Sequence, residues 1–352
     1  MKYLTMTVFV LLVALPIAII AQQGGPPRGA APAPPPCVQQ GNTQYVCGQT
    51  APEDLVLVPG GEWVVASMYG GAGGIQIIST KDKSTVLAYP SPTAKEQLDK
   101  KTYDTCPGPP DAEQKSMFRT HGLAIREGRN SQHTLYVVNH GKRESIEVFT
   151  LDAKAKPASL TWIGCAVAPD PIGLNSVVPL PDGGFIGTDF LERGPNSGTS
   201  RGKLQTGENN GSLWEWHTGT GWKIIPGTET SGANGLELSK DGKTLFVNAW
   251  GGRSFYRMQM GQTKRDTVPL GFQADNVRWA PDGSLFVVGQ GGTGQAQTTN
   301  IVKIDPKTLK VTEILTRPNT PEFGAGTVAV QVGKSLWVGS YRGDRLLIVP
   351  TN

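Results

Sequence analysis

Cysteine and histidine are both scarce in this chain, four of each among 352 residues. No two cysteines form a Cys-x-x-Cys pair, which argues against a thiolate zinc site or a dithiol redox motif. Basic residues never run longer than pairs such as Lys100-Lys101 and Lys142-Arg143, and the formal charge is only +4. Those pairs read as solvated surface, and nucleic acid is not an expected partner. Helical periodicity is nearly missing. The glycine run Gly70-Gly-Ala-Gly-Gly74 is followed by no Lys-Ser/Thr and no helix, so it reads as a flexible turn and not as a phosphate loop. No nucleophile elbow, the strand-to-helix turn that presents a catalytic serine, is legible, which disfavours serine chemistry.

Long apolar runs are confined to one place. Met1-Lys-Tyr-Leu-Thr-Met leads through an apolar stretch from Val8 to Ile20, broken by Pro16, to Ala21-Gln-Gln. A basic start, a short apolar stretch and a small residue before polar ones read as a secretory signal over residues 1–21. The stretch is short for spanning a bilayer, so no stable membrane span is expected after cleavage. No cysteine follows the expected cleavage point, and a lipid anchor is not indicated. Residues 22–36 are rich in Pro, Gly, Ala and Gln without periodicity and read as a solvated linker. Residues 37–352 read as one large all-β domain. Cysteines in an exported chain favour disulfides and a secreted or periplasmic location. Cys37 and Cys47 flank a short polar loop before the first repeat, and Cys106 and Cys165 offer a second pair, although three connectivities remain open.

What the domain has in quantity is one repeated hairpin. Asn234 leads into Gly235-Leu-Glu-Leu-Ser-Lys-Asp-Gly-Lys-Thr-Leu-Phe-Val247, and Glu53 leads into Leu55-Val-Leu-Val-Pro-Gly-Gly-Glu-Trp-Val-Val65. Asn175 precedes Val177-Val-Pro-Leu-Pro-Asp-Gly-Gly-Phe-Ile186, and Asp275-Asn276 precede Val277-Arg-Trp-Ala-Pro-Asp-Gly-Ser-Leu-Phe-Val-Val288. His121 begins a fifth copy and Thr327 lies at the start of a sixth. Repeats of about 40 to 70 residues, each supplying several short strands, predict a six-bladed β-propeller of the all-β class. With the first strand of each blade innermost, Glu53, His121, Asn175, Asn234 and Asp275 meet at one end of one channel. The sixth repeat offers only Gly326 and Thr327 in phase, leaving one side open to substrate or water. The insertion from Arg193 to Gly211 reads as a mobile surface loop in preference to a lid.

Carboxylates and amides without cysteine suit a hard cation, and Ca²⁺ takes six to eight oxygens at about 2.3 to 2.6 Å. Glu53, Asn175, Asn234, Asp275 and Asn276 supply five side chains. Singly, each is an ordinary turn residue; their shared phase argues for a site. His121 and His140 lie at the two ends of one hairpin. A metal polarises an ester or lactone carbonyl, and an imidazole with a pKa of about 6.5 takes a proton from water. His121 suits the base, with His140 orienting it or shuttling the proton.

At these residues the chain resembles the paraoxonase/arylesterase family of six-bladed calcium propellers, within the wider group of regucalcin, the gluconolactonases and strictosidine synthase. The resemblance runs from about Ala51 to Pro350, through Glu53-Asp-Leu, Thr120-His-Gly-Leu-Ala-Ile, Leu135-Tyr-Val-Val-Asn-His, Gly173-Leu-Asn-Ser-Val-Val, Ala233-Asn-Gly-Leu-Glu-Leu-Ser and Ala274-Asp-Asn-Val. It implies a catalytic calcium on Glu53, Asn175, Asn234, Asp275 and Asn276, and a histidine pair at His121 and His140. It also implies a second, structural calcium using Asp54 and an Asp after the first Asn, where this chain has Ser176. Arylesterases tie their ends by a long-range disulfide; no cysteine lies near Asn352, so closure by strand pairing is expected. The expected function is a calcium-dependent hydrolase of lactones or aryl esters. Two other readings are a sugar lactonase using Asp275 as base, and a propeller that binds a ligand or partner without chemistry.

Overall fold

Each repeated hairpin folds into the two inner strands of a blade of four antiparallel strands, to which blade 2 adds a short parallel fifth, Lys95–Glu96. The computed structural model describes residues 35–39, 41 and 43–351. The expected signal, and the expected linker up to residue 34, lie outside them. The innermost strands of blades 1 to 6 are Leu55–Leu57, Thr120–Arg126, Leu174–Pro179, Ala233–Leu238, Gln273–Trp279 and Gly326–Val332. Each packs against the innermost strands of the blades on either side, and the ring closes as a six-bladed β-propeller.

No blade covers its own apolar faces, so the cores lie between blades. Val178, Ile186 and Leu213 of blade 3 pack on Leu236, Val247 and Tyr256 of blade 4. Val46, Leu346 and Ile348 of blade 6 pack on Leu55, Val64 and Ile78 of blade 1. Strands covered on both faces lose the in/out alternation: Ile75–Ser79 and Leu285–Gly291 are buried at every position. Each buried Leu, Ile or Val contributes roughly 1.5–3 kcal/mol, so this interleaving holds the ring.

Closure is by strand pairing. Gln44–Cys47 runs antiparallel to Arg345–Pro350, with Val46 opposite Leu346, giving blade 6 its outermost strand. The Cys37–Cys47 disulfide adjoins this strand, and Arg345 donates to the Pro36 carbonyl at 3.3 Å. Cys106–Cys165 fastens the segment ahead of blade 2 to that blade's last strand. Two disulfides fit an oxidising, extracytoplasmic setting. Among the described residues no helix is long and apolar enough to cross a membrane.

Three local readings change. A short helix α1 (Ala112–Ser116) is capped by Asp111, but the Arg193–Gly211 insertion also carries a helix, α2 (Ser197–Thr206). Leu204 of α2 is buried near Gly232 and Gly251 of blade 4, so the insertion is docked. The Gly70–Gly74 run is not a free turn, because Gly73 bridges to Phe118 and a β-carbon there would lie 2.0 Å from the Phe118 carbonyl oxygen. Arg143 is not solvated surface: it makes a two-pronged pair with Glu147 at 2.7 and 2.9 Å, with only 8% of its side chain exposed.

Candidate active site

The backbone explains why the in-phase residues face the channel. In blades 2 to 5 the innermost strand slips register against its partner, so that two residues oppose one: His121-Gly122, Asn175-Ser176, Asn234-Gly235 and Asp275-Asn276. In blade 6 Thr327 is the extra residue. Such bulges bend a strand and re-aim its side chains. Where the second residue is glycine, in blades 2 and 4, it lets the backbone of the next blade approach closely. A β-carbon on Gly235 would sit 2.5 Å from the Asp275 carbonyl oxygen, and one on Gly122 would sit 2.4 Å from that of Asn175. Gly235→Ala is therefore expected to destabilise the domain by about 1–3 kcal/mol through overpacking. It should also loosen the adjacent Asp275, which parallel thermal melts and calcium titrations would register.

The structure brings the five oxygen-bearing residues together with the histidines. Asn276 Nδ2 donates to Glu53 Oε1 at 2.8 Å, and Glu53 Oε2 lies 3.5 Å from His121 Nε2. Asn175 Nδ2 is 3.5 Å from the same nitrogen. Asp275 Oδ2 accepts from Gln290 Nε2 at 2.7 Å, and Asp275 is also hydrogen-bonded by Asn234. Glu53 Oε2, Asn175 Oδ1, Asn234 Oδ1 and Asn276 Oδ1 are all buried acceptors without a hydrogen-bond partner. Burial pushes the Glu53 carboxyl up to about 7. The Asp275 carboxyl is raised well above its ordinary value, first by burial and then by Glu53. Among the described residues no group of three His, Cys, Asp or Glu side chains is arranged to hold a metal; this cluster is mostly amide.

Beside it runs a chain of imidazoles. His121 Nδ1 lies 2.7 Å from His140 Nε2, and His140 Nδ1 lies 3.0 Å from both oxygens of Glu144. Glu144 Oε1 also accepts from the Leu174 amide at 2.6 Å, which fixes the carboxylate. An ionised Glu144 only accepts, so the network assigns a proton to His140 Nδ1, then to His121 Nδ1, leaving the His121 Nε2 lone pair facing the cluster. Burial lowers the His121 pKa to about 4 and lowers that of His140, so both are neutral at neutral pH. The Tyr69 ring packs 4.5 Å from that of His121, and the Arg119 guanidinium lies 4.3 Å from the Tyr69 ring centroid.

No protein-family model matches the chain, and no curated protein matches it. Solved structures do. A gluconolactonase from Xanthomonas campestris is 18% identical with a TM-score of 0.52, covering 88% of this chain and 89% of its own. A putative gluconolactonase is 14% identical with a TM-score of 0.53, over 88% and 92%. The PQQ-bound aldose sugar dehydrogenase of Streptomyces coelicolor is 16% identical with a TM-score of 0.53, over 90% and 99%. These likenesses show the fold. Gluconolactonase and dehydrogenase share this propeller shape, so the fold leaves the chemistry to the residues in the channel.

Several of those residues escape sequence reasoning. Glu144, four residues after His140, sits behind Lys142-Arg143 and reads as surface charge. Tyr69, Asn248 and Gln290 end second strands or their loops, one strand out from the in-phase set; Asn248 Nδ2 donates to the Asp275 carbonyl at 2.7 Å. The other histidines lie elsewhere: His133 Nδ1 accepts from the Gly128 amide and His217 approaches Asp182. A Gly-x-Ser-x-Gly pattern does occur, Gly198-Thr-Ser200-Arg-Gly202, but it lies within α2. Ser200 Oγ is buried and hydrogen-bonded to the Glu192 amide and Asn210, so it is no exposed nucleophile.

Proposed function

We propose that the chain is a calcium-dependent hydrolase of lactones or aryl esters. The observation that carries this is the set of four buried, unpartnered acceptor oxygens on Glu53, Asn175, Asn234 and Asn276 beside a neutral histidine pair. An unsatisfied buried acceptor costs about 1–3 kcal/mol, and a hard cation offsets several at once. Glu53 Oε2 and the unprotonated His121 Nε2 lie 3.5 Å apart, which sets the base beside the oxygen cluster. Glu53, Asn175, Asn234, Asp275 and Asn276 would hold the ion. When bound, calcium supplies Lewis acidity toward a carbonyl oxygen.

The chain's own residues do the rest. His121 Nε2 takes a proton from water directed at the carbonyl carbon. His140 holds the Nδ1 proton of His121 in place and shares the positive charge that develops. Glu144 anchors His140 and stabilises that charge from the far end. The side of the channel at blade 6, where Thr327 binds the Glu53 carbonyl instead of facing inward as a ligand, is the approach for substrate.

Purified protein assayed on a panel of lactones and aryl esters tests this. Hydrolysis should be lost on chelation and regained with calcium; calcium-independent turnover would overturn it. A second reading, with Asp275 as base, is favoured by the rise in its carboxyl pKa. Under that reading turnover survives replacement of His121.

A further inference from the structure

Two residues beyond Asn276 the channel is closed by a guanidinium. Arg278 keeps only 8% of its side chain exposed. Its Nε donates to the Leu55 carbonyl at 3.1 Å, Nη1 to the Val277 carbonyl at 2.8 Å and Nη2 to the Leu123 carbonyl at 2.9 Å. Nη2 also donates to Asp54 Oδ2, and Glu237 Oε1 lies 3.7 Å from Nη1. Every N–H of the group therefore has an oxygen beside it. Asp54 is fully buried, and its oxygens otherwise accept the Leu55 and Leu123 amides at 2.8 and 2.7 Å. On the far side the channel widens into a cavity of about 570 Å³ lined by the distal ends of the inner strands, with Arg278 and Glu237 in its wall.

The Asp54 carboxylate and backbone carbonyls from blades 1, 2 and 5, with Glu237 of blade 4 at longer range, surround a single positive charge and form the donor set of a hard divalent ion. Here the positive charge is covalent. Ser176 of blade 3 has a buried hydroxyl with no hydrogen-bond partner and takes no part. We propose that Arg278 is the resident structural cation of the channel, leaving the site above as its one exchangeable cation position. The count of one rests on the calcium reading of that site; the role of Arg278 does not. Arg278, itself on the strand that carries Asp275 and Asn276, ties that strand to Asp54 next to Glu53 and to the Leu55 and Leu123 carbonyls. The geometry of the upper site is thus set without a second metal, and chelation should remove activity without unfolding the domain.

The test counts calcium in the full chain by native mass spectrometry and follows thermal midpoints in chelator and in millimolar calcium. Wild type should hold one ion; two would overturn the proposal while sparing the calcium hydrolase, and none would overturn the hydrolase reading while leaving Arg278 to the second measurement. That measurement is Arg278→Gln, which strands Asp54. Its midpoint in chelator should fall by about 5 °C or more, and calcium should restore it with binding of one further ion. The double variant Asp54→Asn/Arg278→Gln should show no such rescue. A loss in Arg278→Gln that calcium does not repair would reduce Arg278 to an ordinary buried ion pair and overturn the proposal. If Arg278→Gln does not fold, the wild-type count decides alone.

Discussion

Replacing His121 by Gln is expected to lower kcat/KM for a lactone substrate by about 10²- to 10⁴-fold, the span that a positioned general base contributes. Calcium binding and the thermal midpoint should stay close to wild type. The separation is what makes the result informative. His121 touches Glu53 and Asn175 only at 3.5 Å, so its ring is a weak structural prop for the oxygen cluster. Its strong contact is with His140 at 2.7 Å, on the side away from the oxygens. A Gln side chain can still reach that neighbour but cannot take up a proton. Glu144→Gln should give a smaller loss confined to kcat, because it weakens the support of His140 without removing the proton acceptor. Wild-type turnover in His121→Gln, measured in saturating calcium, would move the base to Asp275.

The period of the fold is legible because turn chemistry is local: Pro-Asp-Gly and Lys-Asp-Gly sit at the same offset in successive repeats, and alternating strands flank them. From that period follow the six blades and the common phase of Glu53, His121, Asn175, Asn234 and Asp275. The bulges at the last four of these are not legible, since a register slip exists only between two paired strands. Arg278 illustrates a second limit. Within Val277-Arg-Trp-Ala it reads as the outward polar residue of an alternating strand, yet on an innermost strand the polar face borders the axis and the charge is buried. Glu144 and Arg143 look like one solvated cluster in sequence; the fold sends one to His140 and the other to Glu147. Helix α2 is hidden for a different reason, as Gly198 and Gly202 depress helix propensity and no apolar stripe marks it. Only docking of Leu204 beside blade 4 gives it a place to form.

Glu53→Gln is expected to reduce lactone hydrolysis by about 10³-fold or more, because several kcal/mol of carbonyl activation depend on the ion it helps to hold. The substitution is nearly isosteric. The Gln carbonyl can still accept from Asn276 Nδ2, as Glu53 Oε1 does at 2.8 Å, so the inner strands need not move. What changes is charge: the cluster goes from two carboxylates to one, and calcium affinity follows the number of charged ligands. Raising calcium should recover part of the activity, which distinguishes a lost ligand from a lost base. Stability should respond with opposite signs in the two conditions. Without metal, ionising both Glu53 and Asp275 is costly, and burial followed by the Glu53 carboxylate raises the Asp275 carboxyl well above its ordinary value. Removing one charge relieves that cost, so the midpoint of Glu53→Gln in chelator should equal or exceed that of wild type. In calcium the order should reverse, since wild type gains RT ln(1 + [L]/Kd) from a tighter site. A variant that melts below wild type by the same margin with and without calcium would show that Glu53 is structural, and hydrolysis through this cluster would lose its support.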